Sequence, residues 1–315
     1  MHPAASVILF TTASGAGYGL LMWLVLFALA GLAPMTSLFG IVGLGAALAL
    51  ITTGLLASTF HLGRPERAWR ALTQWRSSWL AREGVAAIAT YVVVGPFALG
   101  WVFLNRVDGP FAVCAALSGA MAALTVACTA MIYASLKPIR QWSHGWTAPV
   151  YLSLAAATGA ILWVDLTLAF GAFRPAFGWL GVASMALAAL AKLRYWRVID
   201  NQAPRSTLAS ATGLSSFGAV RLLESPHTEE NYVMREMGFR VARKHAAKLR
   251  RFVIAALFAI PLLALLGIAL AAPPLVSALA AGLATLSAAA GVGAERWLFF
   301  AEATHVSTLY YGLPG

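Results

Sequence analysis

Charged residues are scarce in this sequence. Asp, Glu, Lys and Arg make up only 10% of its 315 residues, whereas hydrophobic residues make up 60%. With a mean hydropathy of +0.78, this composition excludes an ordinary soluble protein and indicates a polytopic membrane protein. Acidic residues are fewer than basic ones, and the net charge is +11. In a membrane protein, that excess predicts basic loops on one side of the bilayer rather than a nucleic-acid-binding surface.

Cysteines and cofactor motifs are also few. Cys114 and Cys128 fall in one predicted helix, about 21 Å apart by helical rise, which is too far for a disulfide. Two cysteines cannot hold an iron–sulfur cluster, which usually takes four. The sequence has no Walker loop, G-x-S-x-G or H-E-x-x-H motif, and no two predicted helices supply facing mid-membrane histidines for a haem. We therefore expect neither a metal site nor a haem in this chain.

What the sequence has in abundance is long apolar segments. Eight of them are long enough for a spanning helix, which needs about 20 apolar residues, and they cover roughly 10–32, 37–60, 84–104, 111–136, 148–171, 176–193, 251–272 and 275–299. Bilayers admit only helices or closed barrels, and these segments are too long for barrel strands. The opening residues lack a basic region before the first segment, so we expect that segment to be retained. We predict an all-α fold, a single integral membrane domain over residues 1–315 built as an eight-transmembrane-helix bundle.

Two connections between these segments are longer than the others. The first covers 60–84, and the second, over 194–250, contains Pro204, Pro226 and many charged residues. Because the second connection is the only sizeable polar stretch, we predict that it is an extramembrane loop for partner docking.

The basic residues are distributed unevenly between the two sides. Eight spans place both termini and three of the loops on one side, with 20 of the 22 Lys and Arg, and leave only Arg106 and Arg174 on the other. By the positive-inside rule, both termini should lie in the cytoplasm and the protein in the inner (cytoplasmic) membrane. A basic partner-binding surface is an alternative explanation for the same charge.

The connection over 60–84 contains five arginines and three tryptophans. At 100° per residue over 64–82, four apolar side chains share one face of a helix, opposite most of the arginines: Trp69, Leu72, Trp75 and Trp79. This pattern predicts an interfacial helix after helix two, lying in the headgroup region. A simple membrane anchor would explain the tryptophans equally well.

Two ionisable residues flank that helix, and an anchoring role does not explain them. His61 can exchange protons near neutral pH, and Glu83 begins the third apolar segment, where a carboxylate is unfavourable unless it is paired, hydrated or functional. Glu83 could also be a helix N-terminal charge favoured by the helix dipole. Our hypothesis is a site for a lipid-soluble quinone, with His61 and Glu83 as proton-exchanging groups and Arg64 or Arg67 holding charge.

The remaining polar candidates indicate local ion pairs rather than a site. Asp165, near the end of the fifth segment, could pair with Arg174. The other candidates cluster at the end of the eighth segment: Glu295, Arg296, Glu302 and His305.

Four blocks carry a resemblance that covers nearly the whole chain. They are MHPAASVILFTTASGAGYGL, HLGRPERAWRA, SPHTEENYVMREMGFRVARKHAAKLR and AERWLFFAEATHVSTLYYG. Together they resemble the DmsC family, the membrane anchor subunits of dimethyl sulfoxide reductase and its relatives. The resemblance implies an eight-helix, haem-free anchor that exchanges electrons with ubiquinone or menaquinone. It also implies two partners, a four-cluster iron–sulfur subunit and a catalytic subunit with a molybdenum bis(guanine dinucleotide) cofactor.

The resemblance also implies which residues bind quinone. The family's histidine after helix two, the glycine and arginine beyond it and the glutamate opening helix three match His61, Gly63, Arg67 and Glu83. Gly63 could equally be a simple turn glycine.

The orientation separates two branches of that family. Dimethyl sulfoxide reductase faces the periplasm, whereas the charge distribution here favours the cytoplasm-facing branch, the anchors of sulfite dehydrogenases that reduce quinone. A purely structural anchor and a transporter are alternatives from other classes. The sequence shows neither an inverted repeat nor mid-membrane charges that would favour a transporter.

Overall fold

A computed structural model describes residues 4–60, 62–204, 206–224, 229 and 241–311. It contains eight helices long and apolar enough to cross a membrane, as the sequence predicts. In chain order they are α1 (Ala5–Leu29), α2 (Ser37–Thr59), α3 (Trp79–Ala98), α4 (Gly109–Ala134), α5 (Thr147–Ala169), α6 (Pro175–Asn201), α7 (Val241–Val253, continuing as Ile260–Ala269) and α8 (Pro274–Ala301). The chain is a multi-pass, all-α membrane protein.

Helices α3 and α7 each contain a π-helical stretch close to a proline. In α3 the stretch is Leu99–Phe103, after Pro96, and in α7 it is Ile254–Ala259, before Pro261. A proline lacks the N–H that the helix needs, and a local change of hydrogen-bonding pattern accommodates it inside a membrane helix.

Several helices run past the apolar segments that predicted them, and most of the added length lies on the basic side. α3 begins five residues before its segment, at Trp79, because the Ser78 side chain caps the helix by accepting a hydrogen bond from the Ala81 N–H at 3.4 Å. α6 continues to Asn201, and α7 begins at Val241. The predicted polar loop over 194–250 is therefore helical at both of its ends.

Helix α1 occupies the middle of the bundle, where it contacts α2, α4, α5 and α8. Small residues let the backbones approach closely. A Cβ atom built on Gly159 of α5 would lie 2.1 Å from the Gly19 carbonyl carbon, and one built on Gly54 of α2 would lie 2.7 Å from the Ser14 nitrogen. Glycine is therefore required at these two crossings.

The structure differs from the sequence prediction in the connection after α2. Instead of one α-helix over 64–82, it has a 3₁₀ helix over Pro65–Gln74 followed by a turn, and Trp79 belongs to α3. The turn is held locally: the N–H groups of Ser77 and Ser78 donate to the Gln74 carbonyl at 3.0 and 2.9 Å. The break comes at Ser78, whose backbone is extended (φ −112°, ψ 126°) and which caps the next helix, α3. In a 3₁₀ helix every third residue shares a side, which keeps Trp69 and Leu72 together.

Gly159→Ala should lower the stability of the protein because its new methyl group would overlap the α1 backbone. Overpacking of this kind typically costs about 1–3 kcal/mol. The measurement is the midpoint of thermal unfolding in detergent. Gly45→Ala is the matched control, since a Cβ atom there would meet no atom within 4 Å. Equal midpoints for the two variants would contradict the close crossing of α1 and α5.

Candidate functional site

A groove lies at the basic end of the bundle, where α1, α2, α3, α4 and the 3₁₀ helix meet. Its volume is about 530 Å³. Nearly all of the lining is apolar: Val7, Phe10, Leu55, Leu62, Ala68, Trp69, Ala71, Leu72, Leu80, Ala81, Gly84, Ala87, Ile88 and Ile132, with Ser58, Thr59, Glu83 and Tyr133 as its polar members. The exposed side chains of Leu80 and Ile88 extend this lining to the outer surface of the bundle. A flat apolar molecule could therefore enter from the lipid.

Among the described residues that line the groove, Glu83 is the one with an ionisable carboxyl group. It is only 4% exposed, and its Oε1 accepts a hydrogen bond from the Thr129 hydroxyl of α4. None of the ion pairs within the described parts of the chain involves Glu83. Because α3 begins at Trp79, Glu83 lies beyond the first helical turn, where the helix dipole no longer explains a carboxylate. The position of Glu83 in the helix therefore does not account for its burial against an apolar groove.

The 3₁₀ helix covers the groove through Leu72. A Cβ atom on Gly84 would lie 2.9 Å from Leu72 Cδ2, so the absence of a side chain at Gly84 lets the 3₁₀ helix pack on α3. Arg82 secures the junction, because its Nε and Nη2 donate to the carbonyls of Trp75 and Arg76 at 2.9 and 2.7 Å. The Arg82 guanidinium also lies 4.2 Å from the Trp79 ring centroid. Arg82 is therefore committed to the junction and not to the groove.

The other site residues predicted from the sequence do not line the groove among the residues that the structure describes. His61 lies outside the described residues, although the next residue, Leu62, lines the groove. Gly63, Arg64 and Arg67 are absent from the groove lining. Both arginines are exposed, and each approaches Glu66 at 3.9 Å. The structure therefore brings Glu83 to the groove and leaves Arg64 and Arg67 at the surface beside it.

Thr129 and Tyr133 contribute to the site but were not found from the sequence. They lie one helical turn apart on α4, which packs against α3. Hydroxyl residues in an apolar segment usually hydrogen-bond their own helix, as Thr129 also does to the Thr125 carbonyl at 3.0 Å. Only the rotation of α4 against α3 reveals that Thr129 reaches Glu83.

A second polar cluster lies inside the bundle, between α6 and α8. Lys192 and Arg296 both pair with Glu295: Lys192 Nζ contacts Oε1, and Arg296 Nε lies 2.7 Å from Oε2. The Arg296 guanidinium is 3.9 Å from the Tyr151 ring centroid, and Lys192 Nζ is 4.1 Å from that of Tyr195. Buried charges require such pairing. The sequence analysis predicted a local ion pair at the end of the eighth segment but did not include Lys192 in it. It also counted Lys192 and Arg296 with the basic residues of the loops, which was wrong because both side chains are buried in the bundle.

The remaining candidate residues are structural. Arg250 donates to Glu302 at 2.8 Å and to the two Asp200 oxygens at 2.7 and 3.0 Å. His305 forms no local ion pair; its Nδ1 lies 2.8 Å from Ser307 Oγ, and burial lowers the pKa of His305. Asp165 accepts from Thr285 of α8 rather than pairing with Arg174. These contacts hold helix ends and neighbouring helices together.

Comparison with known proteins places these features in context. The sequence matches the family described as "DMSO reductase anchor subunit (DmsC)" over residues 1–313. It is 35% identical, over 328 aligned positions that cover 99% of each chain, to a sulfite dehydrogenase subunit of Allochromatium vinosum. No solved structure is significantly similar to this chain.

Lys192→Met should destabilise the bundle because Glu295 would lose one of its two buried cations. Removing one partner of a buried pair costs about 3–5 kcal/mol. We expect a lower thermal unfolding midpoint than for Arg197→Met, which removes a cation from the more accessible end of the same helix. If the two variants melted together, the ion pair would not stabilise the contact between α6 and α8.

Proposed function

Because this chain belongs to the DMSO reductase anchor subunit (DmsC) family, we propose that it is the quinone-reactive membrane anchor of a molybdenum and iron–sulfur oxidoreductase. The observation that carries this proposal is the burial of Glu83 in an apolar groove that reaches the lipid-facing surface. A proton-exchanging group in a lipid-accessible slot is what quinone chemistry requires.

The size and lining of the groove support a quinone ring as its ligand. Small-molecule sites typically enclose about 300–1,000 Å³ and combine apolar walls with few polar groups, as this groove does. Interconversion of quinone and quinol moves two electrons and two protons. Glu83 would exchange one proton with a ring oxygen, and His61, which precedes the groove residue Leu62, would serve the other. Gly63 leaves space beside the loop, and Arg64 and Arg67 place positive charge at its edge.

The electrons would pass between the groove and an iron–sulfur partner docked on the same side. The exposed arginines of the segment 64–82 lie next to the groove, and the connection over 194–250 belongs to the same end of the bundle. A basic surface of this kind suits an acidic docking face. We propose that these two segments hold the four-cluster iron–sulfur subunit, which in turn contacts the molybdenum bis(guanine dinucleotide) catalytic subunit.

The orientation that we propose favours one direction of electron flow. The basic loops favour cytoplasmic termini in the inner membrane, even without Lys192 and Arg296. A catalytic subunit on that side would oxidise a cytoplasmic substrate and reduce quinone. The relative's description as a sulfite dehydrogenase subunit favours sulfite as that substrate. Quinol oxidation coupled to dimethyl sulfoxide reduction is the alternative, and a purely structural anchor is the alternative from another class.

Replacement of Glu83 by Gln, or of His61 by Ala, should lower quinone-coupled turnover by at least about 10²-fold, since each removes a proton-exchanging group. Activity of the catalytic subunit with an artificial dye should persist in the purified complex. Asp108→Asn, the same carboxyl-to-amide change on an exposed side chain at the other end of the bundle, is the matched control. Full quinone coupling in Glu83→Gln would favour the purely structural anchor.

Orientation can be tested with a phosphatase reporter that is active only in the periplasm. A fusion after Gly315 should be inactive, whereas a fusion after Asn105, which follows α3, should be active. The reverse pattern would instead favour a reductase whose catalytic subunit faces the periplasm. Turnover of the purified complex with sulfite and with dimethyl sulfoxide would then identify the substrate.

A further inference from the structure

A small cavity lies close to Glu83. Its volume is about 20 Å³, and side chains of α1, α4, α5 and α8 line it. Thr129 lines this cavity and also donates its hydroxyl to Glu83. Thr129 is therefore the side chain that separates the groove carboxylate from the cavity.

The cavity lining mixes apolar and polar side chains, and Tyr18, Tyr151 and Arg296 are among the polar ones. Tyr18 lies near Thr125 and Tyr151 near Arg296, but within the described parts of the chain Tyr18 Oη, Tyr151 Oη and Arg296 Nη1 are buried atoms without a hydrogen bond of good geometry. Buried polar groups with unfilled hydrogen-bonding capacity are usually satisfied by internal water. A site for one water needs about 10–15 Å³ and two to four polar partners, and this cavity meets both requirements.

Arg296 connects this cavity to the buried ion-pair cluster between α6 and α8. Its Nε contacts Glu295, which also pairs with Lys192, whereas Nη1 is a buried atom without a hydrogen bond of good geometry to any described residue. Because Arg296 lines the cavity, a positively charged group lies across it from Thr129.

We propose that the cavity is a water site linking Thr129 to Arg296, and that Thr129, this water and Arg296 together stabilise the Glu83 carboxylate left when Glu83 gives a proton to the quinone. This inference rests on the proposed function. It makes Thr129 and Arg296 positioning residues, because neither lines the groove itself.

The Thr129 hydroxyl can change its hydrogen-bond acceptor when Glu83 gains or loses its proton. Its single proton has two acceptors, Glu83 Oε1 and the Thr125 carbonyl. When Glu83 is protonated, the carboxyl proton can be donated to Thr129, whose own proton turns to Thr125. After Glu83 transfers that proton to a ring oxygen that has received electrons from the iron–sulfur partner, Thr129 turns and donates to the carboxylate. No covalent bond changes apart from the O–H bond broken at Glu83 and the one formed on the quinone.

The test compares hydroxyl variants in the purified complex. Thr129→Val removes the donor at nearly constant volume and should lower quinone-coupled turnover by about tenfold to a hundredfold, the effect of one hydrogen bond to a charged group. The quinone KM should change by less than about twofold, because Thr129 does not line the groove, and dye activity should persist. Thr129→Ser, which keeps the hydroxyl, should restore turnover.

Infrared difference spectroscopy provides a readout that a structural role would not change. The carboxyl band of protonated Glu83, identified by its loss in Glu83→Gln, should intensify in Thr129→Val. If Thr129→Val impairs assembly, the double variant Tyr18→Phe/Tyr151→Phe replaces it, with Tyr91→Phe, whose hydroxyl contacts Thr52 outside the cavity, as its control. A loss of turnover confined to the double variant supports the water site.

Other outcomes would overturn the inference. Wild-type turnover and an unchanged band in Thr129→Val, with Glu83→Gln inactive, would refute the water site and leave the proposed function intact. Equal losses in Thr129→Ser and Thr129→Val would indicate packing alone. Full activity of Glu83→Gln would instead overturn the proposed function and this inference with it.

Discussion

Charge placed inside a membrane protein must be compensated inside the protein, because bulk water and lipid headgroups do not reach it. In this bundle the buried ion-pair cluster lies in the half nearest the basic loops, where Lys192, Glu295 and Arg296 connect α6 to α8. The aromatic rings of Tyr151 and Tyr195 pack against the two cations and shield them from the hydrocarbon. The positions of α5, α6 and α8 near this end depend on that pairing.

Close packing of small residues sets the rest of the architecture. Without a hydrophobic driving force between helices in lipid, backbones must approach closely enough for dispersion and interhelical contacts to hold them. The crossing at Gly19 and Gly159 brings α1 against α5, and Gly54 brings α2 against α1. These crossings hold α1 at the centre, and the groove forms between α2 and α3 at the basic end. The groove thus stays open while the helices pack tightly elsewhere in the bundle.

Much of this could be predicted from the sequence, because apolar length and charge asymmetry are local properties. The eight helices follow from the lengths of the apolar runs, and Glu83 stood out as a carboxylate at the edge of one. Partners from other helices could not be predicted. Thr129 lies 46 residues from Glu83, and Lys192 lies 103 residues from Glu295. Their contacts depend on the rotation of one helix against another, which hydropathy does not encode. The 3₁₀ helix was missed for a related reason, since hydrophobic periodicity does not reveal the capping bonds of Ser78 and Arg82.

The Ser78 cap gives the two parts of the connection before α3 different tolerances to changes in length. An exposed loop accepts added residues at small entropic expense, so the few residues between α2 and the 3₁₀ helix could vary in number without moving α3. The stretch from Ser78 to Glu83 has no such freedom. One inserted residue would rotate the carboxylate by about 100° around the helix axis and carry it from the groove towards a neighbouring helix or the lipid. The number of residues between Ser78 and Glu83 therefore sets the direction of the carboxylate, although Ser78 itself lies outside the apolar segment.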